Sequence, residues 1–352
     1  MIIYSKSIGN TNAAIGKLET PIKMIIEHES DLLSKKGGAC SWLYNVEKSS
    51  RFGETIVAQS DFDIFQAAAE GSNAVIDSVG ETYSKFIEHI QFMKEFVISA
   101  EMMEDARYGI ATEAKRRAEN FTRAYYKTIN KICTHALVNG MNASTKIAKA
   151  TLDLTTCDGL PLFSKNHVWG SNNSNSTQSN YYYGDIVSTT VNGTRTVSTE
   201  HFSETLSELA YKLRSMKDEN GEPLGYTADT IVIPGNRPAL ENAIKKVCGT
   251  YNAVGSNYND INVHFGNWNV IVLPTWEASN NSMIIMSSEA NKNLSGNMFF
   301  NRVPLTITNW VDNHTGNYIW NGRCRFGVGF GTYKHAILAV DSTNTVGNAT
   351  KL

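Results

Sequence analysis

The amino-acid sequence predicts an α+β fold, and three features predict it. Apolar residues recur every three to four positions from Ile110 through Ala114, Ala118, Phe121, Tyr125, Ile129, Ile132 and Ala136, which spells one long amphipathic helix. Between 228 and 300, short apolar runs such as Thr230-Ile231-Val232-Ile233-Pro234 alternate with one or two helical stretches. Strand alternation then returns: Tyr318, Trp320, Cys324, Phe326, Val328 and Phe330 share a parity, with Asn321, Arg323 and Arg325 opposite.

The elements follow in chain order. Thr20-Pro21 suits a helix start, Ile22, Ile25, Ile26, Leu32 and Leu33 fall near one face, and Gly37-Gly38 gives a stop. From 39 to 82 the chain reads as a long projecting hairpin. Arg51 to Val57 is extended, and Ala67 to Gly80 is rich in small residues. Such a hairpin buries no core of its own and needs a partner. A strand pattern begins at Tyr83, with Phe86, Ile90, Phe92, Phe96 and Ile98 in phase. The long helix is expected over about 103–139, and about 30 residues of it would span about 45 Å at 1.5 Å per residue. Glu101, Glu104 and Asp105 near its start suit the helix dipole. A second helix near 200–217 carries Phe202, Leu206, Leu209, Leu213 and Met216 on one stripe. A helix from Arg237 to Val247, strands at 268–273 and 283–286, alternating Val303, Leu305 and Ile307, and a last strand at 335–340 complete the set.

Composition narrows the class of function. The chain has 352 residues, enough for about two domains. With 41% hydrophobic and 19% charged residues it is globular, and a net charge of −2 without Lys/Arg blocks excludes a basic nucleic-acid arm. The first residues lack the pattern of a secretory signal, and no apolar run is long enough to cross a bilayer, so a soluble chain made in a cytoplasm is expected. Five widely spaced cysteines without a C-x-x-C pair read as free thiols.

Motifs for chemistry are weak. Gly327-Val328-Gly329-Phe330-Gly331 resembles part of a phosphate loop but opens no helix, so a strand needing close backbone approach explains it better. Cys157 and His167 are near in sequence, with Asp158 between them, which leaves a cysteine hydrolase as the enzymatic alternative. No catalytic, cofactor-binding or metal-ligating residues are predicted.

Two stretches carry a family resemblance. They are Asp158-Gly159-Leu160-Pro161-Leu162-Phe163-Ser164-Lys165-Asn166-His167, and Leu213-Arg214-Ser215-Met216-Lys217-Asp218-Glu219-Asn220-Gly221-Glu222-Pro223-Leu224 followed by Ile231 to Pro234. In order and spacing they resemble the Mu-like major head subunit family, within the tailed-bacteriophage capsid fold that encapsulins share. The resemblance implies an N-terminal arm (1–38), an extended hairpin loop (39–82), a peripheral domain with the spine helix (83–227), an axial domain (228–300), returning peripheral strands (301–331), and a last axial strand with a tail (332–352). It implies a non-enzymatic subunit that self-assembles through pentamers and hexamers into an icosahedral shell around double-stranded DNA. An encapsulin-like compartment is the alternative within the fold. Expected partners are further copies of the chain, a separate scaffolding protein, a portal, decoration proteins and non-specifically contacted DNA, with no cofactor and no membrane. The expected location is the virion, after assembly in a bacterial cytoplasm. Inter-subunit contacts are expected at Arg51, Phe52, Ile56, Phe62 and Phe65 of the hairpin and Ile22 and Ile26 of the arm. The arm is expected to stay attached in the particle. Some relatives join a hairpin lysine to a neighbour's asparagine. Here no lysine lies between Lys48 and Lys85, so a shell without covalent cross-links is expected. The polar segment 170–195 fits the family pattern poorly.

Overall fold

Small side chains on one side of the long helix let a sheet and a second helix approach it closely, and much of the architecture follows from that. The computed structural model describes residues 3–4, 13–59, 65, 67, 73, 81–101, 110–169, 177–191, 194–251, 261–341 and 350–351. The helices are α1 (Ala13–Lys36), α2 (Ala39–Leu43), α3 (Ile110–Val138), α4 (Thr199–Arg214), α5 (Pro238–Gly249) and α6 (Ser288–Asn293). The principal strands are β1 (Ile3–Tyr4), β2 (Asn45–Lys48), β3 (Gly53–Gln59), β4 (Glu81–Glu88), β5 (Ile90–Ile98), β6 (Tyr181–Gly184), β7 (Thr230–Pro234), β8 (Asn269–Leu273), β9 (Ser282–Met286), β10 (Asn297–Val311), β11 (Tyr318–Phe330) and β12 (Ala336–Asp341). The chain forms two compact units: residues 1–54, 87–133 and 299–328, and residues 55–86, 134–298 and 329–352.

The first unit is a sheet of order β1-β10-β11-β5, with β2 also on β10. Strand β5 runs antiparallel to β11, in register from Tyr318↔Ile98 to Phe326↔Ile90. Its core joins Ile22 and Ile26 of α1, Ala114, Ala118 and Phe121 of α3, and Ile98, Leu305, Ile307 and Trp320 of the sheet. Phe96 stacks on Trp320 at 6.0 Å between ring centroids. A Cβ on Gly322 would run into the Phe121 ring, so glycine here sets the depth to which α3 sinks onto the sheet.

The second unit is a five-stranded sheet of order β6-β12-β9-β7-β8. Strand β7 is parallel to β8 and antiparallel to β9. All residues of β7, β9 and β12 are buried, which explains why they read as unbroken apolar runs without alternation. Helices α4 and α5 contribute Phe202, Leu206, Leu209, Leu213, Leu240 and Ile244 to the core. Ser198 caps α4 by accepting from the His201 amide at 3.3 Å, and Pro238 sits at the start of α5, where a missing N–H costs nothing.

Three sequence expectations need correction. Helix α1 begins at Ala13, so Pro21 lies inside it and does not open it. The segment 39–48 is not part of a projecting hairpin. It folds as α2 and β2, with Cys40, Leu43 and Tyr44 buried, and the Tyr44 hydroxyl donates to the Cys133 carbonyl at 2.8 Å. A boundary at 227/228 would cut a core, because the stripe of α4 packs with Ile231 and Ile233 of β7. Helix α3 is described from Ile110, and Glu104 and Asp105 lie outside the described residues.

The glycines of 327–331 confirm close backbone approach. A Cβ on Gly327 would lie 3.0 Å from the Glu88 carbonyl oxygen, and one on Gly331 would overlap the Ser295 carbonyl. The neighbouring His335 is fully buried, and its Nε2 bonds Asn297 Oδ1 at 2.8 Å. Burial pushes its pKa down to about 4, against an opposing backbone contact from Thr332. The imidazole is therefore neutral in the fold and charged in the unfolded chain over the interval from about 6.5 to about 4. Stability from this group is complete above pH 6.5 and falls as pH drops to 4, by about 3 kcal/mol in all. Urea unfolding at both ends of that window should show the loss in the wild type, and His335→Gln should remove most of the difference.

Candidate functional site

The extended hairpin is the element that sequence reasoning singled out, and its base is built into the second unit. Strands β3 and β4 pair as a two-stranded sheet. A ribbon of two strands is marginal alone, so it needs an anchor. Lys85 of β4 supplies one. Its side chain is 6% exposed. Nζ donates to the Thr155 carbonyl, to Thr155 Oγ1 at 3.2 Å and to the Asp153 carbonyl at 3.4 Å, and lies 3.4 Å from the Asp153 carboxylate. Burial lowers the pKa of this amine, and Asp153 opposes that shift. Ile56 of β3 supplies the second anchor: it is buried, and its carbonyl receives the Cys157 thiol at 3.8 Å.

The motif from Asp158 to His167 forms the floor beneath this anchor. Thr155 bridges to Pro161, and Asp158 Oδ1 accepts from the Leu160 amide at 3.1 Å, closing a tight turn at Gly159, whose φ is +79°. Asp158 Oδ2 bonds His167 Nδ1 at 2.6 Å, and His167 Nε2 lies 3.2 Å from the Leu162 carbonyl. The imidazole stacks flat on Tyr333 at 3.7 Å. Burial would raise the Asp158 pKa, but the His167 hydrogen bond and charge outweigh it and hold the carboxyl below its ordinary value. Leu162 and Phe163 complete the floor in the core. Asn180, fully buried, donates to the Leu162, Tyr333 and Ala336 carbonyls at 2.6, 3.3 and 3.2 Å.

The second motif is likewise a structural turn. Asp218 accepts from the Asn220 and Glu222 amides at 2.9 and 2.8 Å, Gly221 takes φ +94°, and Lys217 bridges to Pro223. Glu219 pairs with Lys334 at 2.6 Å, both side chains mostly buried.

This arrangement does not make a nucleophile. Both ring nitrogens of His167 are engaged by Asp158 and Leu162, so the ring is not a base for Cys157. Burial, together with Asp158 and against the pull of Lys85, pushes the Cys157 thiol up to about 11. At neutral pH it stays a thiol, the unreactive form. Burial likewise pushes Cys248 up to about 11. Among the described residues no three His, Cys, Asp or Glu side chains are grouped to hold a metal ion.

The expected contact residues divide sharply. Ile22, Ile26 and Ile56 are buried within their own chain at 2%, 0% and 9% exposure, so they are not free for a neighbour. The reason is physical: α1 has an apolar partner in α3, and Ile56 lies against the backbone at Gly331. Arg51 and Phe52 are exposed, and the Phe52 ring lies 5.2 Å from the Arg325 guanidinium. Phe65 is fully exposed. Phe62 lies outside the described residues. Lys85, Tyr333 and Asn180 were missed as anchors. Lys85 left one signal, as a lone cation among strand residues, and Asn180 left none.

Lys85→Met should leave the Thr155 and Asp153 carbonyls without their donor and cost about 1–3 kcal/mol in urea unfolding. Asp153→Asn removes only a carboxylate that is 60% exposed, and should cost less than about 1 kcal/mol.

Solved structures share this fold. A solved structure from Mycobacterium phage Patience superposes with a TM-score of 0.51 at 14% identity, covering 99% of this chain and 95% of that one. The capsid of Myoviridae phage XM1 gives 0.50 at 14%, covering 85% and 88%. The capsid of cyanophage P-SCSP1u gives 0.50 at 10%, covering 86% and 87%. None of the curated proteins matches the sequence. The family model for phage capsid proteins matches residues 87–339, well over half of the chain. The protein therefore belongs to the phage capsid protein family, and it is a major capsid protein of the tailed-phage fold, a virion component that forms the head shell.

Proposed function

We propose that the chain assembles through pentamers and hexamers into a closed icosahedral shell around double-stranded DNA, as a Mu-like head subunit. Assembly takes place in the host bacterial cytoplasm with a separate scaffolding protein, a portal and decoration proteins. The observation that carries this reading is the hairpin. Its base is fixed by a buried lysine, while Phe52 and Phe65 leave large apolar faces to solvent at 61% and 105% exposure. An anchored ribbon with solvent-exposed apolar area beside it gains most by lying on a neighbouring copy, where burial is worth about 25 cal/mol per Å² of apolar surface. Closed symmetry then repeats each contact until no open edge is left.

Expression with neighbouring head genes should give closed shells by electron microscopy. Deleting residues 60–80, or making Phe52→Ser with Phe65→Ser, should leave the chain folded by circular dichroism and abolish or sharply reduce shells. Normal shells from the deletion would remove the hairpin from the assembly role.

The shell is held without covalent cross-links. The sequence has no lysine between Lys48 and Lys85, and the Lys85 amine is buried among the Thr155 and Asp153 oxygens. Arg51 is no substitute, since a guanidinium stays protonated. Boiling particles in SDS without reductant should release one band at 38.9 kDa. A ladder that survives reductant would refute this.

A further inference from the structure

The side of α3 that faces away from the core carries a cationic ridge. Taking 100° per residue, Arg116, Arg123, Lys127 and Lys131 fall within an arc of about 80°. Ala114, Ala118, Phe121 and Ile132 lie on the opposite side, in the core. All four cations are exposed. At 1.5 Å per residue they are spread over about 22 Å, with steps of about 10, 6 and 6 Å. Lys115 flanks the ridge.

A charged helix face is usually a solvated one laced with ion pairs, and the first turns of α3 fit that description. Glu113 bonds Arg116 and Arg117 at 3.0 and 3.2 Å, and Glu119 lies 3.9 Å from Lys115. The pattern then stops. From Asn120 to Val138 the helix contains no Asp or Glu. Arg123 takes its carboxylate from α1, Glu29 at 2.6 Å. Lys127 and Lys131 have no ion pair among the described residues. Intrahelical pairing would favour a carboxylate three or four residues from each of these lysines. Those positions are held by Arg123, by the two lysines themselves and by the uncharged Ala124, Thr128, Asn130 and Thr134, with His135 half-buried. The chain as a whole carries a net charge of −2, so this row stands against the overall balance.

We propose that the Arg116–Lys131 ridge of α3 is the surface on which this subunit meets the phosphate backbone of double-stranded DNA. The inference rests on the head-shell reading and deepens it by assigning the contact to one helix face. Four cations in a row at steps of 6 to 10 Å match a polyanion better than a single ligand, and flexible lysines suit a contact that ignores base sequence. Few phosphates are met per subunit, so each contact is weak and strongly salt-dependent. Repetition over the shell makes the sum significant while leaving each DNA segment free to leave.

The test uses the purified, unassembled full-length chain and a fluorescent duplex of about 30 base pairs, titrated across a fourfold range of salt. Lys127→Gln with Lys131→Gln should lower the slope of log affinity against log salt by about 2, so the variant's affinity should change about sixteenfold less than the wild type's over that range. Lys246→Gln with Lys292→Gln, equally exposed but in the second unit, should keep the wild-type slope. Glutamine preserves helix propensity and the substituted residues are exposed, so thermal melts should not shift. Equal slopes for all three proteins, or no duplex binding by the wild type, would overturn the assignment. Unchanged DNA affinity with a fall in shell yield would place an acidic protein on the ridge and would also overturn it. Shell formation is scored separately by microscopy. Normal shells with no ridge effect reject the ridge alone, and a ridge effect without shells rejects the shell reading alone.

Discussion

The burial of one face of α3 is the interaction on which the first unit depends. A helix in a folded protein takes most of its stability from packing of its apolar face. The packing face is made of small residues alternating with rings: Ala114 and Ala118 let Ile22 and Ile26 of α1 approach, and Phe121 reaches over Gly322 to the sheet. Any side chain at 322 would lift the helix off the strands. The same contacts explain why α1 is an integral layer and not a free arm. Its isoleucines find their partners at home.

In the second unit the governing constraint is polar, because a loop is held against a sheet that is buried along whole strands. Buried backbone groups must be partnered or each costs about 1–3 kcal/mol. The segment 153–167 meets this with its own side chains and with Asn180. Asp158 closes its turn and holds His167, and Asn180 serves three carbonyls at once. Lys85 then uses the outer carbonyls of the same segment to fix the hairpin base. Residues that look catalytic in sequence, an Asp, a His and a Cys within eleven positions, are thus occupied in holding backbone. The stacking of His167 on Tyr333 and the raised Cys157 thiol follow from the same dryness.

What was legible in the sequence depended on whether a residue's role was periodic or positional. The stripes of α3 and α4 and the runs of β7, β9 and β12 were readable because burial there repeats at the period of the element. The α2–β2 segment was not, since Leu43 and Tyr44 are too few to set a period, and its place is fixed by the Tyr44 hydroxyl on Cys133, 89 residues away. Ile22, Ile26 and Ile56 show a related limit. Sequence marks them as apolar and needing cover, but not whether the cover belongs to the same chain. Asn180 and Lys85 each act as one residue through several long-range hydrogen bonds, which leave no local pattern in the sequence. The family-bearing motifs were legible as words, but their physical content, two tight turns stapled by Asp158 and Asp218, became readable only from the bonds.

Net charge illustrates the same limit at the scale of a surface. A value of −2 over 352 residues suggests a chain indifferent to nucleic acid, and it is an average over faces that never meet the same partner. Helix α3 separates its two sides: one is apolar and faces its own sheet and α1, and the other is cationic, its ion pairs among the described residues being those with Glu29 and the carboxylates of its first turns. One element here carries two faces of different character, an apolar one for cohesion within the subunit and a cationic one outside it. A long helix does so at little cost, because residues three and four apart share a face while those two apart do not. A uniformly basic surface would hold DNA too firmly to release it and would raise repulsion between subunits. A narrow ridge on an otherwise slightly acidic chain limits both effects, since screening over about 10 Å confines its influence to whatever lies directly against the helix.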